Sequence, residues 1–159
     1  MCKSGHIQKF EQDGITFNFV GIGRIGDRKG RTTRTYIQEY ERKIIRRLLK
    51  SKEVFDILIT HDKDDQSQRG YGMSEISEVL DNQIFQYHFY GHTGEPFHIE
   101  THSNNITQFC KIKELEFEKS GVLPNGCMVI LEKLDESTFN FEVVETDITN
   151  QLTKFNWKY

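Results

Sequence analysis

Phe55-Asp56-Ile57-Leu58-Ile59-Thr60-His61-Asp62 and Ile84-Phe85-Gln86-Tyr87-His88-Phe89-Tyr90-Gly91-His92-Thr93-Gly94-Glu95-Pro96 share one pattern. Each is a near-continuous apolar run that stops at a histidine and then turns polar. Runs of this kind read as strands buried on both faces, the usual state of strands in a parallel sheet. In open α/β sheets, sites form just outside the carboxyl ends of the strands. His61 and His92 therefore fall where two strand ends can face one crevice. Neutral imidazole is the commonest protein metal ligand, so the pair is the leading candidate for a metal site.

The flanking sequence supplies the rest of an α/β pattern. Ile15 to Gly23 alternates apolar with polar and then becomes wholly apolar, as a strand entering a core does. Residues 1–13 read as polar and irregular. Over Tyr36 to Lys50, Tyr36, Tyr40, Ile44, Ile45, Leu48 and Leu49 recur at helical spacing, with Arg42, Lys43, Arg46 and Arg47 on the other face. Val54 to Thr60 and Ile84 to Tyr90 are the two histidine-terminated strands. Between them lie a charged loop, Asp62 to Gly72, and a short helix, Ser74 to Leu80, with Ser74 as its cap. This βαβαβ order predicts a parallel sheet with right-handed crossovers. After Pro96 the pattern changes to strands without helices, at 97–102, 106–117, 126–134 and 138–144. Pro124-Asn125-Gly126 and Asp135-Glu136-Ser137 read as turns, and residues 149–159 as a tail in which Phe155, Trp157 and Tyr159 alternate.

The totals narrow the class. A chain of 159 residues suits one domain, and an aromatic content of 12% argues for a packed core rather than disorder. The net charge of -3 provides no global basic field, so any attraction to phosphate has to be local. Cys2, Cys110 and Cys127 are odd in number and far apart, which fits reduced thiols in a cytoplasmic protein. No apolar run reaches membrane-spanning length, and Met1 to His6 lacks the apolar stretch of a signal peptide.

Gly21-Ile22-Gly23-Arg24-Ile25-Gly26 matches G-x-G-x-x-G after a strand. A dinucleotide site needs a helix to begin at these glycines, and Asp27 to Arg34 is a poor helix start. A glycine-rich turn is the better reading. Its basic residues, Arg24 and Arg28 foremost, are candidate contacts for a substrate phosphate, and nucleic acid is among the compatible substrates.

Taken together, Ile57-Leu58-Ile59-Thr60-His61, Arg69-Gly70-Tyr71-Gly72, the helix from Ser74 and Phe89-Tyr90-Gly91-His92-Thr93-Gly94 resemble the calcineurin-like metallophosphoesterases over residues 15–100. That family carries an apolar strand ending in Thr-His, a glycine-containing loop, a helix, and an apolar strand ending in Gly-His-x-His. The resemblance implies the C-terminal part of a four-layer α/β/β/α sandwich with mixed sheets, with residues 1–159 forming one N-terminally incomplete domain. It implies metal-dependent hydrolysis of a phosphate mono- or diester, using divalent manganese, iron or zinc. In the family two such ions lie roughly 3.5–4 Å apart. By position His61 and His92 match two ligands of one ion. Gly94 stands where the family has its second histidine, and the family's earlier carboxylate motifs do not precede His61. The implied partners are therefore a phosphoester substrate and either a separate N-terminal half or a second copy of the chain. A single metal site, an inactive phosphoesterase-like or partner-binding module, and nucleotide binding through Gly21 to Gly26 are the alternatives.

Overall fold

The computed structural model describes residues 5–26, 29–51, 53–64, 72–92, 94–144, 151 and 153. Its first strands, β1 (Ile7–Gln12) and β2 (Ile15–Ile22), form an antiparallel hairpin in which Gln12 pairs with Ile15. The two residues between them, Asp13 and Gly14, have φ of 53° and 79°. Asp-Gly in this left-handed geometry is the tight turn that matches strand twist. The expected irregular N-terminus is therefore a strand, held by the hairpin and by stacking of Phe10 on Phe19 at 5.6 Å.

The chain then alternates helix and strand: α1 (Glu39–Leu48), β3 (Ile57–Thr60), α2 (Ser74–Asn82) and β4 (Tyr87–Tyr90). The inward side of α1 carries Ile45 and Leu48, with Glu41 buried beside them. The stripe predicted from the sequence is rotated from this, since Tyr40 is exposed. Glu41 is inside because its carboxylate accepts a hydrogen bond from the Gln38 backbone N–H at 3.0 Å, occupying a donor that the helix start leaves open. On α2 the cap position is Met73 rather than Ser74, and Ile76, Val79 and Leu80 face inward as expected.

Strands β5 (His98–Thr101) and β6 (Gln108–Lys111) complete a mixed six-stranded sheet of order β1-β2-β3-β4-β6-β5. β2, β3, β4 and β6 run parallel, and the two edge strands are antiparallel to their neighbours. The parallel β2-β3-β4 core agrees with the βαβαβ reading. After Pro96, β5 pairs antiparallel with β6, but the run is not antiparallel throughout. β6 returns parallel to β4, and only β7 (Val129–Lys133) and β8 (Phe139–Val143) make a separate antiparallel pair.

The two faces of the sheet are covered differently. Val20, Ile22, Leu58, Tyr90 and Phe109 join Ile37, Ile45, Leu48, Met73, Ile76, Val79 and Leu80 in one core under the helices. Each such side chain contributes about 1.5–3 kcal/mol by leaving water. On the opposite face, Phe141 of β8 stacks on Tyr87 at 5.6 Å and on Phe89 at 6.2 Å. The same hairpin is anchored by a buried ion pair. Lys133 Nζ lies 2.9 Å from Asp56 Oδ1 and donates to the Thr16 carbonyl at 2.7 Å, while Asp56 Oδ2 accepts from the Asn18 backbone N–H at 2.7 Å.

Removing one partner of a buried pair leaves the other charge uncompensated, so Asp56→Ala is expected to destabilise the fold by about 3–5 kcal/mol. Asp56→Asn combined with Lys133→Met keeps an acceptor for the Asn18 N–H and removes both charges. It should recover most of that loss in urea denaturation, and a double variant no more stable than Asp56→Ala would disprove the assignment.

Candidate functional site

The four parallel strands stop on one level. Ile22, Thr60, Tyr90 and Lys111 form a continuous row across β2, β3, β4 and β6. His61 follows this row, its backbone N–H donating to the Ile22 carbonyl at 3.1 Å. Gly91 and His92 follow on β4. The imidazoles of His61 and His92 meet there, with ring centroids 4.6 Å apart and planes tilted by 35°. The structure thus brings together the two histidines that the sequence singled out.

The surroundings of His61 favour a neutral ring. The pKa of His61 is lowered, first by burial and then by the neighbouring His92 and by Lys111, with Asp62 opposing. The backbone of His92 has φ of 60°, in the left-handed region that side chains with a Cβ seldom adopt. The structure thus holds this imidazole in place through a strained backbone.

A buried polar chain fixes the His61 loop. His88 is fully buried in the middle of β4, and its Nε2 lies 2.8 Å from Thr60 Oγ1. The Thr60 hydroxyl donates to the Asp62 carbonyl, so its oxygen accepts from His88, which fixes the proton on Nε2. Burial pushes the pKa of His88 down to about 3. His88 is thus a packed, hydrogen-bonded strand residue rather than part of the His61–His92 pair. Asp62 is fully buried, and its carboxylate accepts from the Gly26 N–H at 3.0 Å and from the Lys63 N–H at 2.9 Å. It clamps the loop after β2 to the loop after β3 and is turned away from a ligand's role. Gly26 is needed in this clamp because a Cβ there would collide with the Gly72 carbonyl. No helix begins at the glycines, since the next one starts only at Glu39.

Other candidates fall elsewhere. The Arg24 guanidinium donates to Glu41 Oε1 at 2.9 Å and to the Arg34 carbonyl, bracing the start of α1. Arg28 lies outside the described residues. His98 bonds through Nε2 to the Tyr90 hydroxyl at 3.1 Å, and His102 stacks on Phe109 at 4.6 Å. Gly94 is exposed with φ of 66°. The residue that sequence reasoning missed is Lys111. It closes the apolar strand Phe109-Cys110 as His61 and His92 close theirs, and that shared pattern was its signal.

Two imidazoles fit two positions on a divalent ion. A third protein ligand is not among them, since the described residues contain no group of three or more His, Cys, Asp or Glu placed to hold a metal. No protein-family model matches the chain, and no curated protein matches it. Among the described residues no helix is long and apolar enough to cross a membrane.

Two outcomes follow from this geometry. Relief of the left-handed backbone at position 92 should make His92→Gly more stable than His92→Ala by about 1 kcal/mol in urea denaturation. Equal stability of the two would mean that the conformation is not held in solution. The stability that neutral His88 contributes is complete above its unfolded pKa near 6.5 and is lost as pH falls towards 3. His88→Gln should therefore flatten the acid limb between pH 6 and 4 by up to about 1.4 kcal/mol per pH unit. An unchanged pH profile would count against a neutral buried ring.

Proposed function

We propose that this chain is part of a calcineurin-like metallophosphoesterase domain and serves metal-dependent hydrolysis of a phosphate mono- or diester. The observation that carries the reading is the meeting of His61 and His92, with ring centroids 4.6 Å apart, at the ends of adjacent parallel strands. His61 and His92 supply two nitrogen ligands to one divalent ion, manganese, iron or zinc. The remaining ligands come from groups outside the described residues. When bound, such an ion supplies polarisation of the phosphoryl oxygens and a water of lowered pKa.

The chain's own residues hold the two ligands ready. The Thr60–His88 contact and the Asp62 clamp fix the loop that presents His61. Burial and the mutual proximity of the rings keep His61 deprotonated, which is the state that ligates. In the four-layer sandwich proposed here, the six-stranded sheet and its helices are one half. Ile59 and Ile99, which are 45% and 44% exposed on the face away from the helices, support that arrangement as surface suited to a second sheet.

Calorimetric titration with Mn²⁺ tests the reading. His61→Ala and His92→Ala should each weaken binding by more than about a hundredfold, beyond the loss usual for groups that merely orient ligands. Aryl-phosphoester turnover on the same samples should fall in parallel. Affinity unchanged in both variants would sink the proposal.

A further inference from the structure

The loop before α1 and the first turns of that helix enclose a cavity of about 380 Å³. It opens to solvent, since Arg31, Glu39 and Arg46 on its walls are exposed. Among the described residues its lining sets the guanidinium groups of Arg31, Arg42 and Arg46 against one carboxylate, that of Glu39. The volume falls in the range of small-molecule sites, about 300–1,000 Å³. A concave surface lined by one sign of charge focuses its field on a ligand of the opposite sign. With a net charge of -3 the chain has no global basic field, so this local gathering is where an anion is attracted.

The rest of the fold holds the walls in place. Gln38 Nε2 donates to the carbonyls of Thr33 at 3.1 Å and Tyr36 at 2.7 Å, which fastens the loop to the start of α1. The Ile37 N–H donates to the Ile25 carbonyl at 3.0 Å, and the Ile25 N–H to the Thr35 carbonyl at 3.1 Å, tying the same loop to the chain that leaves β2. The Arg31 guanidinium lies over the Tyr36 ring, 3.6 Å from its centroid, a contact that fixes it through its face. Arg42 is anchored by Glu75 in the first turn of α2, in a pair that is mostly buried. Arg46 pairs with Glu39 at 3.2 Å, and both of these side chains are more than half exposed. Exposed pairs of this kind contribute little, so Arg46 can exchange Glu39 for another oxyanion at small cost.

The planar guanidinium fork matches phosphate oxygens. A phosphate monoester brings close to two negative charges at neutral pH and three acceptor oxygens, which suits a site built from arginines. We propose that this cavity binds the phosphate group of a small phosphorylated molecule through Arg31, Arg42 and Arg46. Neither His61 nor His92 lines it, so the site is separate from the histidine pair and its occupancy does not depend on the phosphoesterase reading.

The test is a calorimetric titration of the full chain with glycerol phosphate in the presence of a chelator, so that no metal at His61 and His92 contributes. Saturable binding is expected, with inorganic phosphate competing and glycerol itself not binding. Arg31→Gln and Arg46→Gln should each weaken the binding by about tenfold or more, the loss expected for one charge-assisted hydrogen bond. Both side chains are exposed, so the variants should keep the wild-type urea midpoint, and if one of them fails to fold the other decides. His92→Ala should leave the affinity unchanged.

The assignment is overturned if glycerol phosphate does not bind saturably, or if neither arginine substitution weakens it. Binding lost in His92→Ala but intact in the arginine variants would also overturn it and place the phosphate at the strand ends. Binding of inorganic phosphate with exclusion of glycerol phosphate would overturn the assignment of a phosphorylated molecule as the ligand.

Discussion

The common level at which β2, β3, β4 and β6 end is the constraint on which the rest of the structure depends. Side chains alternate faces along a strand, so a slip of one residue would turn Val20, Leu58, His88 and Phe109 away from the helices and expose them. A slip of two would keep the faces but pull Asp56 away from the Asn18 N–H and from Lys133, leaving a buried carboxylate and a buried ammonium unmatched. The register is thus set at the interior by apolar burial and at one end by an ion pair. At the other end it delivers Thr60, Tyr90 and Lys111 to a single row. The proximity of His61 to His92 is a consequence of that register and of the polar contacts of Thr60 and Asp62 that hold the first loop.

Much of this was legible in the sequence, and the reasons differ by element. The parallel centre was readable because buried strands leave continuous apolar runs, and the two histidines because each run stops so abruptly. The N-terminal hairpin was also written in the chain, in Asp13-Gly14 between Ile7–Gln12 and Ile15–Ile22. Its outer strand is largely exposed, and its polar residues obscured the alternation. The face of α1 was misjudged because Glu41, a charged residue, occupies an inward position by satisfying the helix start and Arg24. The return of β6 beside β4 was not legible at all. The short edge strand β5 carries the chain across, and nothing in local periodicity distinguishes that route from a hairpin. Lys111 carried the signal of an apolar run ending in a polar residue, but its place beside β4 depended on that unread route.

Charge at the carboxyl edge of the sheet follows from where each acid is used. Asp56 serves the opposite end of its strand, and Asp62 is drawn inward by two amide donors that it satisfies more cheaply than water would after burial. Among the described residues, the side chains that reach the edge include the imidazoles of His61 and His92 and the Lys111 ammonium. The neighbouring Lys111 charge and the adjacent rings both disfavour protonation of His61, so its nitrogen lone pairs remain available at neutral pH.

Backbone geometry at position 92 argues in the same direction. The chain has glycine on the near side at Gly91 and again at Gly94, so the turn after β4 was within reach of residues for which φ of 60° carries little cost. An imidazole stands at the left-handed position instead, at a cost on the order of 1 kcal/mol. It also sits 4.6 Å from the His61 ring, whose protonation it disfavours. A residue serving packing alone would be relieved on both counts by a smaller neutral side chain. In the metal site proposed above the ring nitrogen has to be at that place, which a smaller side chain would forfeit.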